Sequence, residues 1–101
     1  MEIMIQSVKF DADRKLTEFV EGKMSKLERF AERAISAEVF LKLDEDHAQG
    51  NKVVIMKLSM PGEELIAESR RKSFEEAVDR AIEALKRQVN KYDKRFDKNN
   101  T

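Results

Sequence analysis

Residues 73–96 read SFEEAVDRAIEALKRQVNKYDKRF. Ser73 followed by Glu76 fits a capping box, in which the serine hydroxyl and the glutamate each satisfy a backbone N–H left open at a helix start. Beyond it, Phe74, Val78, Ile82, Leu85, Val89, Tyr92 and Phe96 recur at helical spacing and form a single stripe. This predicts one long helix with one apolar side. Such a helix needs a surface to lie on, and the rest of the chain has to supply it.

Working back from Ser73, Leu65 to Arg71 alternates, with Leu65, Ala67 and Ser69 on one side, and reads as a strand. Pro61-Gly62 is a turn signal. Lys52 to Met60 is another strand, with Val54, Met56, Leu58 and Met60 facing in. Asp44 to Asn51 is a polar loop containing Gly50, and Ala37 to Leu43 alternates again. Ahead of it, Leu16, Phe19, Val20, Leu27, Phe30 and Ala31 mark a helix from Asp13 to about Arg33, with Asp11 to Asp13 as capping chemistry. Gly22 costs this helix roughly 1 kcal/mol relative to alanine. Glu2 to Ser7 is the first strand, with Ile3 and Ile5 on one side.

The order is β-α-β-β-β-α, an α+β class. The economical arrangement is a four-stranded sheet with two helices packed on one face. Leu16, Val20, Leu27, Phe30, Val78, Ile82, Leu85 and Val89 are expected to be buried between them. Met4, Phe40, Val53, Ile55 and Ile66 are expected on the open face, as scattered exposure or as a partner patch. The chain of 101 residues has room for one domain, read here as residues 1–98 with 99–101 as a frayed tail.

Composition narrows the function. There is no cysteine, which excludes disulfides, thiolate zinc sites and cysteine nucleophiles and fits a reducing cytoplasm. No signal peptide or membrane span is visible. The 20 basic and 20 acidic residues cancel, yet residues 1–50 hold 8 and 11 of them and residues 51–101 hold 12 and 9. That asymmetry points to an electrostatic face.

On the last helix Arg80, Arg87, Lys91, Lys94 and Lys98 line up opposite the apolar stripe, flanked by Lys86 and Arg95. Acids at a helix start and bases at its end are stabilising by themselves, but that does not account for an unbroken basic line over five turns. On the first helix Lys15, Lys26, Arg29 and Arg33 fall on one flank, and Glu18, Glu21, Glu28 and Glu32 on the other. Lys23 lies near the middle of the apolar stripe, as a snorkelling lysine or as a cation held at a helix seam. Arg70, Arg71 and Lys72 form a third cluster. Helices packed side by side would merge the basic flanks into one stripe suited to a phosphate backbone. Low aromatic content argues against stacking on single-stranded bases.

Other chemistry is thin. Asp44, Glu45, Asp46 and His47 read as a solvated acidic loop before they read as a metal site, and His47 is the sole histidine. No phosphate-binding glycine loop, nucleophile elbow or zinc-protease motif is present. No catalysis, cofactor, metal or small-molecule substrate is expected.

The stretch Leu16 to Phe30 resembles the first helix of the ribosome hibernation-promoting factors and ribosome-associated inhibitors, with Lys23, Met24, Lys26, Leu27 and Phe30 on the family pattern. Pro61-Gly62 with Leu65 and Ala67 resembles the family's third hairpin. Ala77, Val78 and Asp79, then Leu85, Arg87, Gln88, Val89 and Lys91, resemble its second helix. The likeness covers nearly the whole chain in register.

It implies a double-stranded-RNA-binding-domain-like fold with an added first strand, and binding in the small-subunit channel where messenger RNA and transfer RNAs pass. It implies that Lys23, Lys26, Arg87 and Lys91 face ribosomal RNA, and occlusion of idle ribosomes as the mechanism. Arg29, Arg70, Arg71, Lys72, Arg80, Lys94, Arg95 and Lys98 extend the expected RNA surface.

Three departures stand out. Ser73 replaces an aspartate and Glu75 a tyrosine, and Asn90, Asp93 and Asp97 make the tail less basic. The chain resembles the short form, which lacks the domain that pairs ribosomes. The expected partners are the small ribosomal subunit and its RNA, without membrane, for a monomer or a weak homodimer through the open sheet face. Rival readings are a free-standing double-stranded RNA-binding module and a protein-protein adaptor using that open face.

Overall fold

Alternation and helical spacing become six elements in the computed structural model, which describes residues 1–45, 48 and 50–99. They are β1 (Glu2–Val8), α1 (Arg14–Phe30), β2 (Ser36–Leu43), β3 (Lys52–Met60), β4 (Glu63–Arg71) and α2 (Phe74–Asn99). The sheet order is β1-β2-β3-β4. β1 runs parallel to β2, with α1 as the crossover, and the other neighbours are antiparallel.

Local chemistry sets the joints. The Asp13 carboxylate accepts from the Leu16 N–H at 2.8 Å and starts α1. The Ser73 hydroxyl accepts from the Glu76 N–H at 3.2 Å and starts α2. Met60 and Glu63 pair around Pro61-Gly62, and Gly62 takes the positive φ, +85°, that the third position of a type II turn requires. The Tyr92 hydroxyl donates to the Pro61 carbonyl at 2.7 Å and ties this hairpin to α2.

α1 ends at Phe30, earlier than its apolar pattern suggests. The Ala31 N–H still donates to the Leu27 carbonyl at 2.7 Å, but Ala31 has left helical dihedrals and the Ala34 N–H closes a turn on the Ala31 carbonyl at 3.1 Å. The chain must reverse here to feed β2. Asn99 is the last helical residue described. Of the tail expected to fray, Asn100 and Thr101 lie outside the described residues.

Both helices cover one face of the sheet. Val20, Met24 and Leu27 of α1 and Val78, Leu85 and Val89 of α2 are completely buried with Val39, Leu41, Val54, Met56 and Leu58. Ile82 is buried too, and Leu16 packs at the margin. Phe30 does not join them and is 40% exposed. It stands about 100° round the helix from Ala31, so it faces the seam between helices, where the Lys86 ammonium lies 5.5 Å from its ring centre.

On the open face Met4 and Ile66 are about half exposed. Val53, expected there as well, is buried, because Lys42 and Arg70 flank it in register. Glu38 and Lys57 stand opposite each other between Met4 and Ile66. Charge therefore interrupts the apolar surface.

Candidate nucleic-acid interface

α2 has two shoulders, and neighbours identify both. On one, the Gln88 amide donates to the Ile66 carbonyl of β4 at 2.8 Å, and Arg95 pairs with Glu63. On the other, facing α1, Asp79 meets the Lys23 ammonium at 2.9 Å, and Asp93 and Asp97 meet the Arg33 guanidinium at 2.9 and 2.7 Å. Between the shoulders, pointing away from the sheet, Arg87, Lys91 and Lys94 are exposed and carry no ion pair among the described residues. Lys98 continues the line. Arg80 begins it and pairs with Glu83 at 3.3 Å.

The helices do pack side by side, and their basic flanks meet in part: Lys26 of α1 and Lys86 of α2 share the seam with Asp79 and Glu83. The basic flank of α1 meets the acidic flank of α2. Lys23, Lys26, Leu27, Asp79, Ile82, Glu83 and Lys86 line a groove of about 360 Å3 along the seam. Lys23 is one-third exposed, and its ammonium lies 5.3 Å from the Phe19 ring centre as well as on Asp79. The Lys23 stem packs, and its charge is held in place by Asp79. Lys26 and Arg29 are exposed and unpaired among the described residues.

Asp93 and Asp97, which make the tail less basic, sit off the basic ridge. Arg33 takes both and lays its guanidinium 4.3 Å from the Phe96 ring centre. Arg33 lies beyond the end of α1, in the connection to β2.

The third cluster is divided. Arg70 turns toward the β2–β3 loop, pairing with Asp44 at 2.6 Å and donating to the Gly50 carbonyl at 3.3 Å. Its hydrogen bond, seconded by the Glu45 N–H, holds the Asp44 carboxyl below its usual value. Arg71 pairs with Glu76 at 3.3 Å, and Lys72 is exposed and unpaired among the described residues. Gly50, at φ +120°, lies so close to the Arg71–Lys72 backbone that a Cβ would stand 2.2 Å from the Arg71 carbonyl.

The structure thus gathers Arg87, Lys91 and Lys94 with Lys98 on one ridge, and Lys26 and Arg29 on another. Lys23 stands in the seam. Arg70, Arg71, Arg80 and Arg95 sit in ion pairs. Exposed pairs of this kind are worth about 0–1 kcal/mol, so a phosphate can compete for each cation. Lys86 is the seam cation that sequence reasoning left off its RNA surface. Its partner, Phe30, sits on another element, so no single helix pattern reveals it. Among the described residues no cluster of histidine and carboxylate suits a metal, and Asp46 and His47 lie outside them. Among the same residues no helix is long and apolar enough to cross a membrane.

Residues 3–97 match the family model of the sigma 54 modulation protein / S30EA ribosomal protein. The chain belongs to this family. It is similar to the ribosome hibernation promotion factor of Deinococcus radiodurans, with 31% identity over 85 residues. That match covers 82% of this chain and 44% of the relative, so the chain spans less than half of the relative's length. Its fold is that of a ribosomal subunit interface protein from Coxiella burnetii, with a TM-score of 0.81 at 19% identity over 92% of this chain and 98% of the other. The N-terminal domain of Protein Y from Thermus thermophilus follows at 0.73 and 22%, covering 91% and 99%. The family pattern in α1 divides across the helix: Met24 and Leu27 lie in the core, Lys23 and Lys26 line the seam, and Phe30 meets Lys86 of α2.

Proposed function

We propose that this chain is a ribosome-binding translation inhibitor. It occupies the channel of the small subunit through which messenger RNA and transfer RNAs pass, and keeps idle ribosomes blocked and intact. Residues 1–98 act as one binding domain. The observation that carries the reading is a near full-length family match on a fold that leaves Arg87, Lys91 and Lys94 exposed and unpaired among the described residues. The names of its relatives, for ribosome hibernation and for the subunit interface, support the same reading.

The mechanism makes and breaks no bond. Cations on α2 and on the outer side of α1 replace counterions on ribosomal RNA phosphates, which makes binding fall with salt. Lys23 and Lys26 act at the seam, Arg87 and Lys91 on the ridge, and Arg29, Lys72, Lys94 and Lys98 extend the contact. Arg70, Arg71, Arg80 and Arg95 join it by exchanging a carboxylate for a phosphate.

The test is co-sedimentation with ribosomes at two salt concentrations, with messenger and transfer RNA as competitors. Binding to small subunits that weakens with salt and is displaced by these RNAs is expected. Equal or tighter binding to isolated duplex RNA would replace the proposal with a free-standing RNA-binding module.

A further inference from the structure

The two edges of the sheet are finished differently. Along β4, side chains of α2 take up the Ile66 carbonyl and the Glu63 carboxylate. Along β1, no strand pairs with the outer edge among the described residues. Alternate N–H and C=O groups of β1 are therefore open to a further strand. Glu2–Val8 contains no lysine and no proline, the usual guards of an edge.

Beside this edge Ile3 and Ile5 of β1 and Thr17, Glu21 and Ser25 of α1 line an open groove of about 400 Å3. Its α1 wall carries the acids Glu18, Glu21 and Glu28, with Arg14 paired to Glu18 at the start of the helix. Glu21 stands in the groove, exposed and unpaired among the described residues, whereas Glu2, of the opposite strand parity, lies with Met4 on the open face of the sheet. Glu28, on the same side of α1, already holds a cation, the Met1 ammonium, at 2.6 Å.

We propose that the outer edge of β1 docks an extended basic segment of a partner protein. The segment joins the sheet as a fifth strand, sets apolar side chains on Ile3 and Ile5, and places a lysine or arginine against Glu21. Main-chain bonds supply the attraction and the groove supplies the selection, as in strand addition generally. The charge pattern decides the occupant. A second copy paired through β1 about a twofold axis would bring the acidic flank of each α1 toward the other, at a like-charge cost. Nucleic acid is repelled by the same carboxylates. The inference stands apart from the RNA surface, which lies on the other side of α1 and on α2.

The probe is a blocked peptide, Thr-Val-Thr-Lys-Thr-Val-Thr, with a counterpart carrying Glu for Lys. Each is titrated into the isotope-labelled protein while amide shifts and amide exchange are followed. The Lys peptide is expected to shift β1 and the Glu21 side of α1, and to slow exchange at alternate β1 amides. Glu21→Lys should weaken it by about fivefold or more and admit the Glu peptide, since a charge pair is replaced by repulsion. Ser25→Arg, which fills the groove from an exposed helix position, should weaken the Lys peptide as well, and circular dichroism checks that both variants fold. The proposal is overturned by no saturable shift up to about 1 mM peptide, by shifts on the Arg87 ridge instead, or by unchanged binding in both variants. Peptide-free dimers that protect β1 amides would overturn it too, by assigning the edge to a second copy.

Discussion

The Lys23 ammonium and the Asp79 carboxylate meet at 2.9 Å across the seam between α1 and α2. Lys23 therefore has a fixed position and a built-in competitor for any phosphate. Asp79→Asn should raise affinity for ribosomes, because it removes both the competitor and a repelling charge. The loss of a surface pair should cost the fold no more than about 1 kcal/mol. Parallel melting and ribosome-binding curves check this, and weaker binding by Asp79→Asn would mean that the aspartate is needed to aim the lysine.

Arg87→Glu with Lys91→Glu should abolish most ribosome binding while leaving the fold intact. Both residues are exposed on the side of α2 away from the sheet, where substitutions usually stay within about 0.5 kcal/mol. For every phosphate that is no longer neutralised, the slope of log affinity against log salt should also fall by about 0.7 to 0.9. Glu64→Lys, on the opposite face of the molecule, is a suitable control. Glu28 is not, since it holds the Met1 ammonium. A folded double variant that still sediments with ribosomes as wild type does would reduce the ridge to an ornament of the helix dipole.

Gly22→Ala should stabilise the protein by up to about 1 kcal/mol. Gly22 is exposed in the middle of α1, and a Cβ there meets nothing within 4 Å. The melting temperature should rise by about 4–8 °C for each 1 kcal/mol gained.

Gly50→Ala and Gly62→Ala should differ sharply. Both glycines have positive φ, so either change costs about 1–2 kcal/mol in backbone strain. At Gly62 the Cβ meets nothing within 4 Å, whereas at Gly50 it collides with the Arg71 and Lys72 backbone. Gly50→Ala should therefore be much the worse in denaturant unfolding. It should also shift the amide signals of Arg70 to Lys72, whereas Gly62→Ala should not.

Asp44 should titrate below its ordinary value of 3.8, because Arg70 and the Glu45 N–H bind the charged form. The sign follows from linkage: a depressed folded pKa adds stability above the unfolded pKa, and that stability is lost as pH falls through the folded one. Arg70→Gln should return the Asp44 titration, followed by carboxyl NMR, toward the ordinary value. An Asp44 titration unmoved by Arg70→Gln would contradict the assignment.

The strands and helices are legible in the sequence because each repeats its own period: Ala37, Val39 and Leu41 by alternation, Val78, Ile82, Leu85 and Val89 by helical spacing. The end of α1 is hidden, since Ala31 continues the apolar pattern and the reversal toward β2 is a demand of topology. Phe30 departs from its expected burial for a related reason. Its pattern tells which side of α1 it occupies, not that the seam there stays open. The candidate site shows the same limit. The charge faces of each helix are visible one at a time, but their mutual rotation is not. Burial of Val78, Leu85 and Val89 against the sheet sets the rotation of α2, which the contacts of Gln88 and Arg95 with β4 accompany, and it turns the acids of α2 toward the bases of α1.

Arg33 lies in the short connection between α1 and β2, and it grips Asp93 at a separation of 60 residues. The last turns of α2 are thus anchored to the chain reversal between α1 and β2, by carboxylates that lower the charge of the same turns. At Asp93 and Asp97, evolution or an engineer faces opposed demands. Replacing either with lysine adds charge that attracts RNA and releases the tether that keeps neighbouring lysines in place. Gains in attraction and losses in preorganisation arrive together there, so a more cationic last helix is not automatically a better binder.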